Sequence, residues 1–286
     1  MIVRMFLINT FIDGLFTGGQ ALVAILRQRC QTHLLTTLAR ELKAPVTAYV
    51  LPCQDRYAVR YFAADGELKS GGYAALAVAK ALYSVGLAPP DQPLRLEGLN
   101  GPALLRPAAA LGLDRGVGLV LPPAPPSDWA EDPPAGLDRA AVLSLMTVGP
   151  YRLVCLAEPS HLPDHAAALS PRDGRLVLSW PRGGAGYDLR CYGAAGEEAE
   201  PPVDLDFHAA LARFWGGRLG RTRLDIRHLA RRPALLRAEL TAEAVELAGR
   251  LQIIYKAAPA LNEPADDSSL GDFLKGISSF TPPAPK

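Results

Sequence analysis

The sequence predicts an α+β protein built as two similar lobes, and three observations carry that expectation. Apolar runs with the alternation of strands are interleaved with a few segments of helical period over most of the 286 residues. A strand, a Gly-Glu and an Ala-rich helix start occur twice. A stretch rich in Pro at 122–136 separates the two occurrences. The lobes are placed at 1–115 and 116–256. Residues 257–286, rich in Pro, Ser and Asp, form a tail that either docks back on the first lobe or stays loose.

In chain order, RMFLINTF reads as the opening strand and ALVAIL as the second. CQTHLLTTLAREL places Leu34, Leu35, Leu38 and Leu42 on one helical face. TAYVLP and RYAVRYF read as strands. The helix predicted over Tyr73–Val85 stops at Gly86, with Pro89 and Pro90 beyond it. In the second half YRLVCLAE, RLVLSW and YDLRCYG read as strands, and a helix is expected from His208 to about Trp215. The segment ALLRAELTAEAVELAGRLQIIYK reads as a closing hairpin bent at Gly249.

The repeat is the informative feature. With Arg60 set on Arg190, VRYFAADGE lies over LRCYGAAGE without a gap. Gly66 to Tyr73 is a step of 7 residues and Gly196 to His208 a step of 12, so the second copy carries five extra residues before the shared AALA. One strand-turn-helix unit per half predicts pseudo-twofold-related lobes whose two helix N-termini face each other across a cleft. Unpaired N–H groups and the macrodipole make such ends attractive to an anion, and Gly71 and Gly72 leave room for close approach. Two of them suit a small carboxylate and the charge that develops when a proton leaves a neighbouring carbon. A plain helix cap accounts for either turn taken alone.

Composition narrows the classes of function. Lys and Arg number 30 against 29 acids, a net charge of +1, which predicts neither a nucleic-acid partner nor an anionic membrane partner. Cys30, Cys53, Cys155 and Cys191 are far apart, which points to reduced thiols and no metal site. The N-terminus lacks the pattern of a signal peptide and the location expected is cytoplasmic. No Gly-rich nucleotide motif follows a strand, so no cofactor is expected.

Several ordered segments resemble the PhzF-like phenazine-biosynthesis family, which has the diaminopimelate epimerase-like fold. NTFIDGLFTGGQALVAI is similar to the family's D-x-F…F-x-G-N-P-A-A-V, and LARELKAPVTAYV to L-A-x-E-L-x-x-S-E-T-x-F. RYFAADGELKSGGYAALA is similar to R-x-F-x-P…E-V-x-x-C-G-H-A-T-L-A. HAALARFWGGRLG resembles the second helix, and AVELAGRLQII the closing strands. The resemblance spans about residues 1–256. It implies two lobes, each a curved, mainly antiparallel sheet around a central helix, and it implies a homodimer.

The functional positions of the family are altered. The acid/base glutamate of S-E-T is Val46 in Pro45-Val46-Thr47, and the histidine and threonine of G-H-A-T are Tyr73 and Ala75. The asparagine and proline of G-N-P are Gly19 and Gln20. E-D-P-x-T-G-S-A becomes EPPVDLDF, residues 200–207, with Pro201 for the aspartate and Leu205-Asp206 for Gly-Ser. Valine transfers no proton, and Gly71 stands where a two-thiol mechanism needs cysteine.

Candidate catalytic residues are therefore Tyr73, Asp206 and His208, with Gly18, Gly19, Gln20, Gly71, Gly72 and Asp204 as ligand-binding positions. A Tyr/His/Asp group can shuttle a proton near neutrality. Asp206 reads first as a natural helix N-cap and only then as a catalytic group, while Tyr73 also suits a space-filling role and His208 a surface position. The expected ligand is a small carboxylate or an amino acid whose amine pairs with Asp206. Two functions compete: a cofactor-free isomerase moving a proton or double bond in natural-product biosynthesis, and an inactive binding or partner protein that keeps the cleft.

Overall fold

The computed structural model describes residues 2–53, 56–122, 126–129, 132, 137, 139–159, 175–193 and 204–258. The tail, most of the proline-rich stretch and residues 194–203 lie outside them. Two compact units divide the chain. Unit 1 takes residues 1–10, 19–120 and the closing strand; unit 2 takes 11–18 and 121–249. The division departs from the expected 1–115 and 116–256 because the chain crosses over twice. Residues 11–18 pack in unit 2, and the last strand returns to unit 1.

Unit 1 holds β1 (Ile2–Thr10), β2 (Gly19–Leu26), α1 (Thr32–Leu42), β3 (Val46–Cys53), β4 (Arg56–Ala63), β5 (Gly66–Leu68), α2 (Tyr73–Ser84), β6 (Leu94–Gly98), β7 (Gly101–Pro107) and β8 (Val117–Leu121). Unit 2 holds β9 (Ser127–Asp128), β10 (Val142–Val148), β11 (Tyr151–Leu156), β12 (Arg175–Arg182), β13 (Gly186–Tyr192), α3 (Leu205–Leu219), β14 (Arg223–His228), β15 (Ala234–Leu240) and β16 (Val245–Gly249). The final strand β17 (Leu251–Ala257) pairs antiparallel with β1 of unit 1. The expected closing hairpin is thus β15–β16 alone. Phe11 explains the break at Gly249, where a Cβ would lie 2.4 Å from its ring.

The internal repeat extends to the pairing order. In unit 1, β1–β2 is antiparallel, β2–β3 parallel, β3–β4 antiparallel and β4–β6 parallel, and β6–β7–β8 closes antiparallel. In unit 2, β10–β11 is antiparallel, β11–β12 parallel, β12–β13 antiparallel and β13–β14 parallel, and β14–β15–β16 closes antiparallel. Each second parallel step needs a crossover, and α2 and α3 supply it. The α+β class read from the sequence is the observed one.

Burial explains the helices. α2 is apolar all round and buried from Ala74 to Ala79, as a helix enclosed by its sheet must be. It packs on β1, β2, β3, β7 and β17. α1 is amphipathic and sets Leu35 and Ala39 into a separate core with Tyr49, Leu51 and Phe62. Strand alternation then assigns the two faces of β3: Tyr49 and Leu51 look toward α1, and Val46, Ala48 and Val50 toward α2. In unit 2, α3 buries Phe207, His208, Leu211 and Trp215 against β13 to β16. The Trp215 indole donates to Ser179 Oγ at 2.8 Å, and that hydroxyl donates to the Asp188 carbonyl at 2.9 Å.

Candidate functional site

In unit 1 the mouth of α2 is filled by aromatic rings. Tyr73 is half-buried, and its hydroxyl donates to the Gln20 carbonyl at 3.3 Å. A Cβ at Gly19 would lie 3.1 Å from the Tyr73 ring and 3.3 Å from Thr10 Oγ1. The two departures from the family pattern, glycine at 19 and tyrosine at 73, are therefore one spatial exchange. Gly71 is tighter still, since a Cβ there would fall 2.2 Å from the Tyr61 ring. A cysteine at 71 is sterically excluded while Tyr61 stays in place.

The expected anion cradle at this mouth is corrected in part. The Ala74 N–H donates to the Gly71 carbonyl at 2.8 Å and the Ala75 N–H to the Gly72 carbonyl at 3.2 Å. The Gly72 N–H donates to Ser70 Oγ at 3.4 Å. Three of the amides that make a helix N-terminus attractive to anions are thus engaged locally. Gly72 keeps the conformation that favours glycine, φ +47°, with open space on its Cβ side. Gly18 has both backbone groups engaged inside unit 2: its N–H donates to the Pro233 carbonyl at 2.8 Å, and its carbonyl accepts from Arg232 Nε at 3.0 Å. Gln20 donates from Nε2 to Asn9 Oδ1 at 3.3 Å. Val46 is buried on the α2 face opposite Ala21, and Thr47 Oγ1 is buried without a hydrogen-bond partner among the described residues.

In unit 2 the second helix begins earlier than the repeat implied. α3 starts at Leu205, with Asp204 at the N-cap position and Asp206 in the first turn. His208 is the fourth helical residue, one turn in, and does not occupy the first position that Tyr73 has in α2. Its side chain is 2% exposed, its ring is 5.8 Å from that of His228, and Phe207 lies edge-on to it. Nδ1 of His208 and Nε2 of His228 are buried without hydrogen-bond partners among the described residues. Burial, reinforced by the neighbouring His228, pushes His208 down to about 3, and burial alone pushes His228 down to about 4. Both imidazoles are neutral core groups at pH 7.

The two aspartates divide the work of this helix mouth. Asp204 does not cap its own helix with its side chain. Its Oδ2 accepts instead from the Tyr151 hydroxyl at 3.0 Å, and that hydroxyl oxygen also accepts from Arg175 Nη1 at 3.3 Å. Burial, then the Asp204 charge, push the Tyr151 phenol up to about 12. Asp206 is exposed, and partial desolvation followed by repulsion from Asp204 raises its proton affinity above that of an ordinary carboxylate. One carboxylate is held by a phenol and the other is tuned toward carrying a proton. Sequence reasoning singled out both aspartates and missed Tyr151 and Arg175, whose approach across 53 and 29 positions no local motif signals.

No group of three or more His, Cys, Asp or Glu able to hold a metal ion is present among the described residues. Among them, no helix is long and apolar enough to cross a membrane.

With this geometry in view, similarity to known proteins is specific. The family model described as phenazine biosynthesis-like protein (PhzC-PhzF) matches residues 8–112. An uncharacterized isomerase of Pseudomonas aeruginosa is 26% identical over 260 residues, covering 87% of this chain and 96% of the relative. Another, from Halalkalibacterium halodurans, is 23% identical over 266 residues, covering 90% and 98%. Among solved structures, a PhzF-family phenazine biosynthesis protein of Enterococcus faecalis superposes with a TM-score of 0.77 at 21% identity, covering 91% of this chain and all of its own. A probable proline racemase of Agrobacterium radiobacter superposes with a TM-score of 0.57 at 15% identity, covering 96% and 98%. The chain is PhzF-like: in sequence over residues 8–112, and in fold over 91% of its length.

Proposed function

We propose that this chain is a cofactor-independent isomerase that moves a proton, and with it a double bond, on a small unsaturated carboxylate or amino acid in natural-product biosynthesis. It works in the cytoplasm as a homodimer. The observation that carries the reading is Asp206, an exposed carboxylate in the first turn of α3 whose proton affinity is raised by partial burial and by Asp204. A carboxylate with raised proton affinity is a stronger base than an ordinary one, which favours taking a proton from carbon. Ionised Asp206 takes the proton from an sp3 carbon allylic to the substrate's double bond. The C–H electron pair moves into the π-system and shifts the double bond. Asp206 then returns the proton to the far end, so the product has the composition of the substrate. The positive end of α3 favours the negative charge that develops in between. Asp204 is the partner for a substrate amine, and Tyr73 lines the first-unit site beside Gly19 and Gly72. The names of the curated relatives, both isomerases, support the reaction class.

Val46 and the filled mouth of α2 favour a second reading, a binding or partner protein without chemistry. Proton exchange separates the two. The protein is incubated in deuterated water with a panel of small unsaturated amino acids and cyclic carboxylates, and carbon-bound deuterium is followed by NMR. The isomerase reading expects deuterium at carbon with wild type and none with Asp206→Asn. Ligands that raise the melting temperature while no carbon exchanges would overturn it in favour of the binding protein.

A further inference from the structure

The Tyr151 hydroxyl sits where three groups meet. It donates to Asp204 Oδ2 at 3.0 Å, accepts from the Asp204 N–H at 3.3 Å and accepts from Arg175 Nη1 at 3.3 Å. A phenol has one proton and two acceptor positions. Both other partners are donors, so the proton has one destination, the Asp204 carboxylate. The arrangement is anchored from the sheet. Tyr151 and Arg175 are paired across the parallel strands β11 and β12, and the Tyr151 ring lies 4.8 Å from that of Phe207 on α3. Asp204 is thereby held toward the sheet, and not over the amides at its own helix start, where an N-cap aspartate ordinarily turns.

We propose that Tyr151 and Arg175 are positioning residues that fix the Asp204 carboxylate beside Asp206, so that the proton-transfer group works against a neighbouring charge of set place and strength. The assignment deepens the isomerase reading and rests on its choice of Asp206. Among the described residues, the titratable and charged groups that reach this turn are Asp204 from α3, Tyr151 from β11 and Arg175 from β12. Without the phenol, Asp204 turns toward the first amides of α3, which brings its charge nearer Asp206.

The test needs no substrate. The Asp206 carboxyl is titrated by carbon-13 NMR in the intact protein, in wild type, Tyr151→Phe, Asp204→Asn and the double variant. Tyr151→Phe keeps the ring against Phe207, and unchanged methyl spectra check its fold; Arg175→Gln is the second variant should it fail to fold. The expected result is an upward move of the Asp206 midpoint in Tyr151→Phe, the direction expected when a neighbouring negative charge comes closer. The Asp206 and Phe207 amide protons move downfield as Asp204 caps them. The same substitution in the Asp204→Asn background leaves the midpoint where it was. No movement, or equal movement in both backgrounds, overturns the assignment. If the midpoint moves as expected while no substrate exchanges a proton, the positioning stands and the isomerase reading alone fails.

Discussion

Acid should destabilise this protein well above the range where carboxylates titrate, and the buried histidine pair sets the amount. His208 and His228 are neutral in the fold, pushed down to about 3 and about 4, whereas an unfolded imidazole titrates near 6.5. As pH falls below about 6.5 the unfolded chain takes up protons that the native state refuses, so stability present above that value is lost progressively toward pH 4. Each proton bound by the unfolded chain alone costs about 1.4 kcal/mol for every further pH step of one. Between pH 7 and pH 5 each histidine therefore contributes about 2 kcal/mol of loss, roughly 4 for the pair. Against a typical total of about 5–15 kcal/mol that is a large fraction. The assay is the urea midpoint at pH 7 and pH 5 for wild type and for His208→Leu/His228→Leu. Comparing each protein with itself cancels the packing cost of the substitutions. Wild type should lose the stated amount and the variant less than a quarter of it. A double variant as acid-sensitive as wild type would show that the two imidazoles are not the buried, uncharged pair described.

Further outcomes follow from the same geometry. Asp204→Asn removes the charge that raises Asp206, so the Asp206 midpoint falls in carbon-13 titration; an unmoved midpoint leaves desolvation as the whole cause. Any exchange activity that depends on Asp206 should decline as pH drops through a value above the ordinary carboxylate range, because the raised group loses its basic form early. Gly71→Cys forces a side chain into the Tyr61 ring, 2.2 Å from the new Cβ, and should cost about 1–3 kcal/mol by urea denaturation, with recovery when Tyr61→Leu is added. Ser179→Ala strands the buried Trp215 N–H and should cost about 1–3 kcal/mol, read by the same denaturation series.

Much of the fold was legible because it is written in periodicity. The strands of the first half, the helix at Leu34–Leu42 and the Ala-rich helix from Tyr73 fall where alternation and helical period put them. The repeated AALA marks the two crossover helices. What the sequence could not convey was distance. β17 reads as the return arm of a hairpin, yet its partner is β1, more than 240 positions away in the chain. α3 reads as starting at His208 because alignment to α2 passes over the inserted residues, but Leu205 is apolar enough to be buried and draws the helix back one turn. That turn changes the chemistry on offer. It carries His208 into the core beside His228 and leaves Asp206 exposed at the mouth.

The altered residues form compensated sets. Glycine at 19 and tyrosine at 73 share one volume, and glycine at 71 and the Tyr61 ring share another. Rings now occupy the mouth of α2, where the family places polar groups. In unit 2 the change runs the other way. A phenol and a guanidinium on the sheet support Asp204, and Asp206 beside it gains proton affinity from burial and from that charge. The Tyr151 phenol holds the Asp204 side chain away from the first amides of α3, where an N-cap aspartate ordinarily turns. The phenol fixes where the Asp204 charge sits beside Asp206, and the Asp206 titration in Tyr151→Phe is where that becomes measurable.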